Sequence, residues 1–226
     1  MTRLVVLLLL VSCGAEEALP TNVEGTLGGH QLALGGGGWA WEEPRQSAGE
    51  GGVFRQYAWH LELSGVLFDP TVSLESLTVD ERHALAQQVA LHDRLSFKLS
   101  LSAIDAAVRG NGNRFDPTAG QGTLDLAFGS PREAGEAAGT EAVNPIAIAG
   151  DRGWVLLVDE ITLPEGGAAG RIKGSLELVI ARQTRDRPDS LTGNIAVDFD
   201  VPFVGAWLGQ CQKTLLLAPE GQHCPR

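Results

Sequence analysis

Apolar and polar residues alternate with period two along stretch after stretch of this chain, and that pattern constrains its fold more than any other feature. Leu95, Phe97, Leu99 and Leu101 interleave with Ser96, Lys98, Ser100 and Ser102. Tyr57, Trp59, Leu61 and Leu63 form a second series, and Leu124, Leu126 and Phe128 a shorter third. Leu176, Leu178 and Ile180 oppose Ser175 and Glu177, while Ile195, Val197, Phe199 and Val201 oppose Asp198 and Asp200. Successive side chains of a strand point to opposite faces, so each series predicts a strand with one apolar face. Trp154 to Leu163 is apolar through most of its first half, which predicts a strand buried on both faces.

Clusters of Gly, Pro, Asp and Asn separate these segments at 35–38, 47–52, 110–122, 129–139, 164–170 and 184–190, where the chain can reverse. About eight or nine strands joined this way predict an all-β fold, an antiparallel sandwich or barrel. The stretches 109–122 and 129–141 exceed hairpin length and read as functional or disordered loops. One helix interrupts the pattern. Thr78-Val-Asp-Glu81 has the spacing of a capping box, and Leu85, Ala86, Val89 and Ala90 follow on one side. This predicts a helix near 79–92, over a sheet edge or closing a barrel end. His83 and His92 on it lie nearly half a turn out of phase and cannot share a metal.

The N-terminus has a different character. Arg3 precedes eight apolar residues, Leu4 to Val11, and the run stops at Ser12-Cys13. As a helix it would span about 12 Å against a hydrocarbon core of about 30 Å, too short to cross, and the layout is that of an export signal. Leu10-Val11-Ser12-Cys13 resembles the lipobox of bacterial lipoproteins. The resemblance implies cleavage before Cys13, acylation of Cys13 and a membrane as partner through that lipid. With Gly14 following the cysteine, it implies the outer membrane, the domain facing either the periplasm or the surface. Two or more acyl chains make such an attachment durable. The expected organisation is a signal peptide at 1–12, a lipidated tether at 13–22 and one β domain at 23–226.

The chain has 17 basic and 28 acidic residues, a net charge of −11; removal of Arg3 with the leader takes it to −12. Nucleic-acid binding needs clustered Lys and Arg to neutralise phosphates, so it is excluded as a function class, as is electrostatic attraction to anionic lipid. With Cys13 assigned to the lipid, Cys211 and Cys224 are left in a compartment that permits disulfides, and a Cys211–Cys224 bond is expected. It would stabilise the fold by about 3 kcal/mol by pinning the C-terminal tail. A zinc site there would need more ligands than His223 supplies.

The sequence lacks a Gly-x-Ser-x-Gly elbow, a His-Glu-x-x-His pair, a Walker loop and a Cys-x-x-Cys pair. No cofactor and no metal are expected. Asp198 and Asp200, two apart on one strand face with Glu177 on a neighbouring strand, are the best carboxylate pair, spaced about as an inverting glycosidase would need. Asp159 and Glu160 point to opposite faces. Alternation alone accounts for acids at 198 and 200 as a solvated polar face. Asn111-Gly-Asn113-Arg-Phe-Asp116 offers oxygen ligands on a turn but departs from the calcium-loop pattern at Phe115 and Asp116, and reads as a turn. Trp39 and Trp41 share a strand face, as a ligand-stacking platform or as core. Gly37-x-Trp39 resembles the first-strand signature of lipocalins, although no companion motif follows; that resemblance implies a hydrophobic-ligand carrier with Trp39, Trp41 and Trp59 lining a cavity. The expected role is binding or scaffolding in the envelope without catalysis; the carrier and a polysaccharide hydrolase acting through Asp198 and Asp200 are the alternatives.

Overall fold

The structure, a computed structural model, describes residues 21–27, 31–49, 52–101, 112–118, 120–127, 153–181 and 192–217. Nine strands follow in chain order: β1 (Asn22–Leu27), β2 (Gly37–Gly49), β3 (Gly52–Ser64), β4 (Arg94–Leu101), β5 (Asn113–Phe115), β6 (Gly120–Ala127), β7 (Trp154–Thr162), β8 (Gly170–Ala181) and β9 (Thr192–Val204). Helix α1 (Val79–Ala90) lies between β3 and β4, after a 3-10 turn at Leu74–Ser76, and helix α2 (Ala206–Leu217) follows β9. The fold is mostly β, as the alternation predicts. The strands form one sheet in the order β5-β7-β8-β9-β2-β3-β4-β6, with β1 also paired to β9.

One junction departs from a wholly antiparallel sheet. β2 runs parallel to β9 through Ala40↔Phe203 and Trp41↔Val204. The same edge of β9 is already occupied from Gly193 to Asp198 by antiparallel β1, so β2 meets only the last residues of β9.

The sheet curls into a half-barrel. Phe97 on β4 meets Trp154 on β7 edge to face at 5.4 Å, and Trp59 on β3 meets Phe115 on β5 at 5.3 Å, although both pairs are far apart in strand order. The inner face carries the apolar members of the alternating series, among them Leu61, Leu63, Leu95, Leu99, Leu124, Leu176, Leu178, Ile195, Val197, Phe199 and Val201, in one buried cluster. Burial of each such side chain contributes about 1.5–3 kcal/mol. Gly122 on β6 lies under the Trp154 indole, where a Cβ would sit 2.5 Å from Nε1, so a larger residue would push the two ends of the sheet apart.

Two expectations change on contact with this architecture. β7 is buried at Trp154, Leu156 and Val158, which face the inner cluster, whereas Val155 and Leu157 on its other face are half-buried. The stretch 109–122 is partly strand: Phe115 of β5 is 3 % exposed and its strand pairs with β7, and β6 starts at Gly120. The stretch 129–141 lies outside the described residues.

α1 begins as its capping box requires. The Thr78 hydroxyl accepts from the Glu81 amide at 3.3 Å, and the Glu81 carboxylate accepts from the Thr78 amide at 2.8 Å. It covers neither a sheet edge nor a barrel end. Leu85 and Val89 pack with α2 against the outer, convex face of the sheet, in a second apolar cluster with Trp39, Trp41, Val66, Leu74, Val204, Cys211, Leu215 and Leu216. The expected C-terminal tail is therefore a helix over 206–217.

Candidate functional site

Trp39 and Trp41 project from β2 onto the convex face, whereas Trp59, on the adjacent β3, projects into the half-barrel. The three tryptophans do not line one cavity, because residues 41 and 60 pair across the β2–β3 ladder and Trp59 is one position, hence one face, away. A gap inside the half-barrel among the described residues, bounded by Ala40, Trp59, Phe97, Leu156 and Phe199 among others, has a volume of about 10 Å³. That is room for about one water molecule.

The convex face holds a buried polar group of unusual density. Glu62 on β3 is 2 % exposed, and its carboxylate accepts from Lys213 Nζ on α2 at 2.6 Å and from Ser96 Oγ on β4 at 2.7 Å. Lys213 Nζ also donates to Ser96 Oγ at 2.7 Å. Burial pushes the Glu62 carboxyl above the ordinary glutamate range, with Lys213 and Ser96 opposing that shift. Beside this triad, His60 stacks on Trp41 at 4.4 Å with the planes 7° apart, and its Nε2 donates to Glu43 at 3.1 Å. The buried Nδ1 has no partner. Desolvation lowers the His60 pKa to about 4, outweighing the Glu43 bond that raises it, so the ring is neutral near pH 7. Trp41 stacks in turn on Trp39 at 6.3 Å, and Trp39 meets Phe68 edge on at 5.2 Å.

α2 is placed on this surface by three features of its own sequence. Gly209 lies flat on Trp41, where a Cβ would come within 2.4 Å of the indole. Gln212, fully buried, accepts from the Leu74 amide at 3.1 Å and donates to the carbonyls of Pro70 and Val72, so one amide side chain satisfies three backbone groups of the 70–74 segment. Lys213 supplies the ion pair. Cys211 on the same helix is disulfide-bonded and lies 3.9 Å from Ser73 Oγ. The other cysteines, Cys13 and Cys224, lie outside the described residues, as do the leader and tether up to residue 20.

A serine beside a lysine is the composition of one class of hydrolase. Here Lys213 is a donor to both neighbours, the reverse of a general base, and Ser96 Oγ is spent on a carboxylate. The arrangement can fasten a helix to a sheet.

The expected carboxylate pair lies elsewhere on the outer face. Asp198 is exposed and stands opposite Ser175, with Glu177 on the same face of β8. Asp200 is 7 % exposed and is gripped by Arg171 through Nε at 2.6 Å and Nη2 at 2.5 Å, with Lys173 opposite it in register. The structure therefore brings Asp198, Asp200 and Glu177 together but interleaves them with Arg171 and Lys173. Asp159 and Glu160 are both exposed, because the β7–β8 register shifts between Val158 and Glu160. Asp116 accepts from the Thr118 amide at 3.0 Å and from its hydroxyl at 2.5 Å, a local turn. His92 bonds the Gln88 carbonyl of its own helix at 2.7 Å. Among the described residues no cluster of His, Cys, Asp or Glu could hold a metal.

The convex surface also carries an open apolar groove of about 460 Å³, between the β7–β8 turn and the start of α2. Pro164, Ala168, Val204, Ala206, Trp207 and Leu208 line it. Sequence reading missed Glu62, Ser96, His60, Gln212 and Lys213, together with this groove. The available signal was the apolar spacing Leu208, Cys211, Leu215 and Leu216, which marks α2 and hence what lies beneath it. Compared with protein-family models, curated proteins and solved structures, the chain matches none.

Proposed function

We propose that this chain is a bacterial lipoprotein of the outer membrane, held there through an acylated Cys13, whose β domain binds or scaffolds in the cell envelope without performing catalysis. The anchor rests on the short apolar leader ending in Leu10-Val11-Ser12-Cys13. A disulfide at Cys211 supports an oxidising compartment outside the cytoplasm, with Cys224 as the partner that Cys13 leaves available once it is lipidated.

The role rests on one observation. The buried acidic side chains of the outer face are tied into structural bonds, Glu62 to Lys213 and Ser96, and Asp200 to Arg171. A general acid or base must exchange protons with a substrate it can touch, and these groups face their partners instead. Among the described residues, the gap between Trp59, Phe97, Leu156 and Phe199 inside the half-barrel holds about 10 Å³, which supports a scaffold over a carrier, whose ligand pocket would need several hundred Å³.

Metabolic labelling with a palmitate analogue, in wild type and Cys13→Ala, tests the anchor. Label and membrane pelleting are both expected in wild type and both absent in the variant; an unlabelled wild-type chain overturns the reading. Thiol titration of the denatured, unreduced protein should find no free cysteine.

A further inference from the structure

We propose that the apolar groove at the start of α2 is a membrane-docking face, which seats on the uncharged headgroup and acyl-chain boundary of the bilayer to which the chain is tethered. The proposal rests on the lipid-anchor reading above. None of the residues lining the groove is ionisable; Trp207 of the lining is 48 % exposed, and Leu163 and Val72, which adjoin the lining residues Pro164 and Thr71 in the chain, are 47 % and 50 % exposed. A tryptophan that offers an apolar ring and an N–H donor together is the side chain best suited to the interfacial layer.

The path of the chain selects the occupant. β1 is antiparallel to β9, with Asn22 opposite Asp198, so the N-terminal end of β1 lies on the side toward which β9 runs, toward Val204 and α2. From Phe199 to Val204 the strand rises about 17 Å at 3.3 Å per residue. The eight residues from Cys13 to Pro20 can span at most about 29 Å. An acylated Cys13 thus holds this end of the half-barrel within reach of the bilayer, and the groove lies at that end. Tethering makes a weak apolar contact effective, because the second attachment is intramolecular. The net charge of −12 on the chain without its leader opposes an anionic surface, so the contact is with uncharged lipid.

The test uses the full chain expressed in a bacterial host, purified and reconstituted into phosphatidylcholine vesicles with or without brominated acyl chains. Brominated lipid should quench one of the five tryptophans. Trp207→Phe should abolish that quenching, and Leu163→Glu, on an exposed turn, should lose it while Trp207 is retained. Replacing a third of the lipid with phosphatidylglycerol should reduce it at least twofold. Acylated protein that pellets with vesicles but shows equal emission in both lipids overturns the docking face and leaves the anchor standing. A chain whose intact mass carries no acyl group, and which stays in the supernatant, overturns the anchor and the docking face with it.

Discussion

From Ala58 to Ser64, β3 is buried on both faces, and the two faces are built on opposite terms. Trp59, Leu61 and Leu63 point into the half-barrel and join its apolar cluster, with the Trp59 indole N–H donating to Glu42 at 2.9 Å. His60, Glu62 and Ser64, the residues between them, are as deeply buried on the convex side, but beneath α1, α2 and the segment that precedes α1. Inner burial follows from the period of the sequence and gains free energy without regard to direction. Outer burial takes a carboxyl and an imidazole out of water and is tolerable only because Lys213, Ser96 and Glu43 stand at bonding distance. The inner face therefore makes a curled sheet, and the outer face decides which helix lies on it and in what register.

The sharpest way to break this contrast is to open the inner face. Trp154 links the two ends of the sheet through Phe97 and covers Gly122, so Trp154→Ala removes the contact that keeps the half-barrel curled. A loss of about 3–5 kcal/mol is expected, measured by urea unfolding followed by circular dichroism. A loss below about 1 kcal/mol would mean that strand pairing, without the interior, sets the curvature.

On the outer face the comparison turns on pairs. Lys213→Met leaves the buried Glu62 carboxyl with Ser96 as its bonding partner and the Arg94 charge nearby, and should cost about 3 kcal/mol, near the low end for a broken buried pair because Glu62 can take up a proton. Adding Glu62→Gln to Lys213→Met removes the stranded charge and should recover most of that loss. Equal stability of the single and double variants would show that the pair is not coupled. No such rescue is expected inside the half-barrel, where a second truncation only enlarges a cavity.

The same contrast explains what could be read from the residues in advance. Alternation at 57–63, 95–101, 176–180 and 195–201 placed strands correctly, since it records which side chains face an apolar interior. The capping box at Thr78 marked α1, since the signal is local. α2 was not legible in the same way. It opens after Gly205 without a capping side chain, carries Gly209 in its first half and buries Gln212, each of which reads locally as loop or surface. Gly209 is there because Trp41 lies against it, and Gln212 because the 70–74 segment needs its amide; both reasons are tertiary. Without α2, nothing in the spacing of Glu62 or Ser96 marks either residue as buried, because each sits on the polar side of its alternating strand. The parallel β2–β9 junction escaped for a related reason, since period two gives a strand its faces but not its neighbours.

The smallest expected effect separates two titrations inside the polar cluster itself. His60 has its folded pKa depressed, to about 4 from an ordinary 6.5, so the stability it contributes is present above about pH 6.5 and is lost as pH falls toward 4. Between pH 7 and pH 5 this amounts to roughly 2 kcal/mol. Glu62 acts in the opposite sense. Its folded pKa is raised, so its contribution is greatest in acid and declines as pH rises through that raised value. The wild-type profile is therefore flatter than either group alone would make it. His60→Phe keeps a ring stacked on Trp41 and removes one titration, and Glu43, which it leaves behind, is 39 % exposed and can turn to water. The variant should lose the acid-side decline and gain stability relative to wild type as pH drops from 7 to 5. A variant and wild type that fall in parallel over that range would mean that His60 is protonated within the fold, and that the imidazole face of Trp41 is wetter than its burial implies.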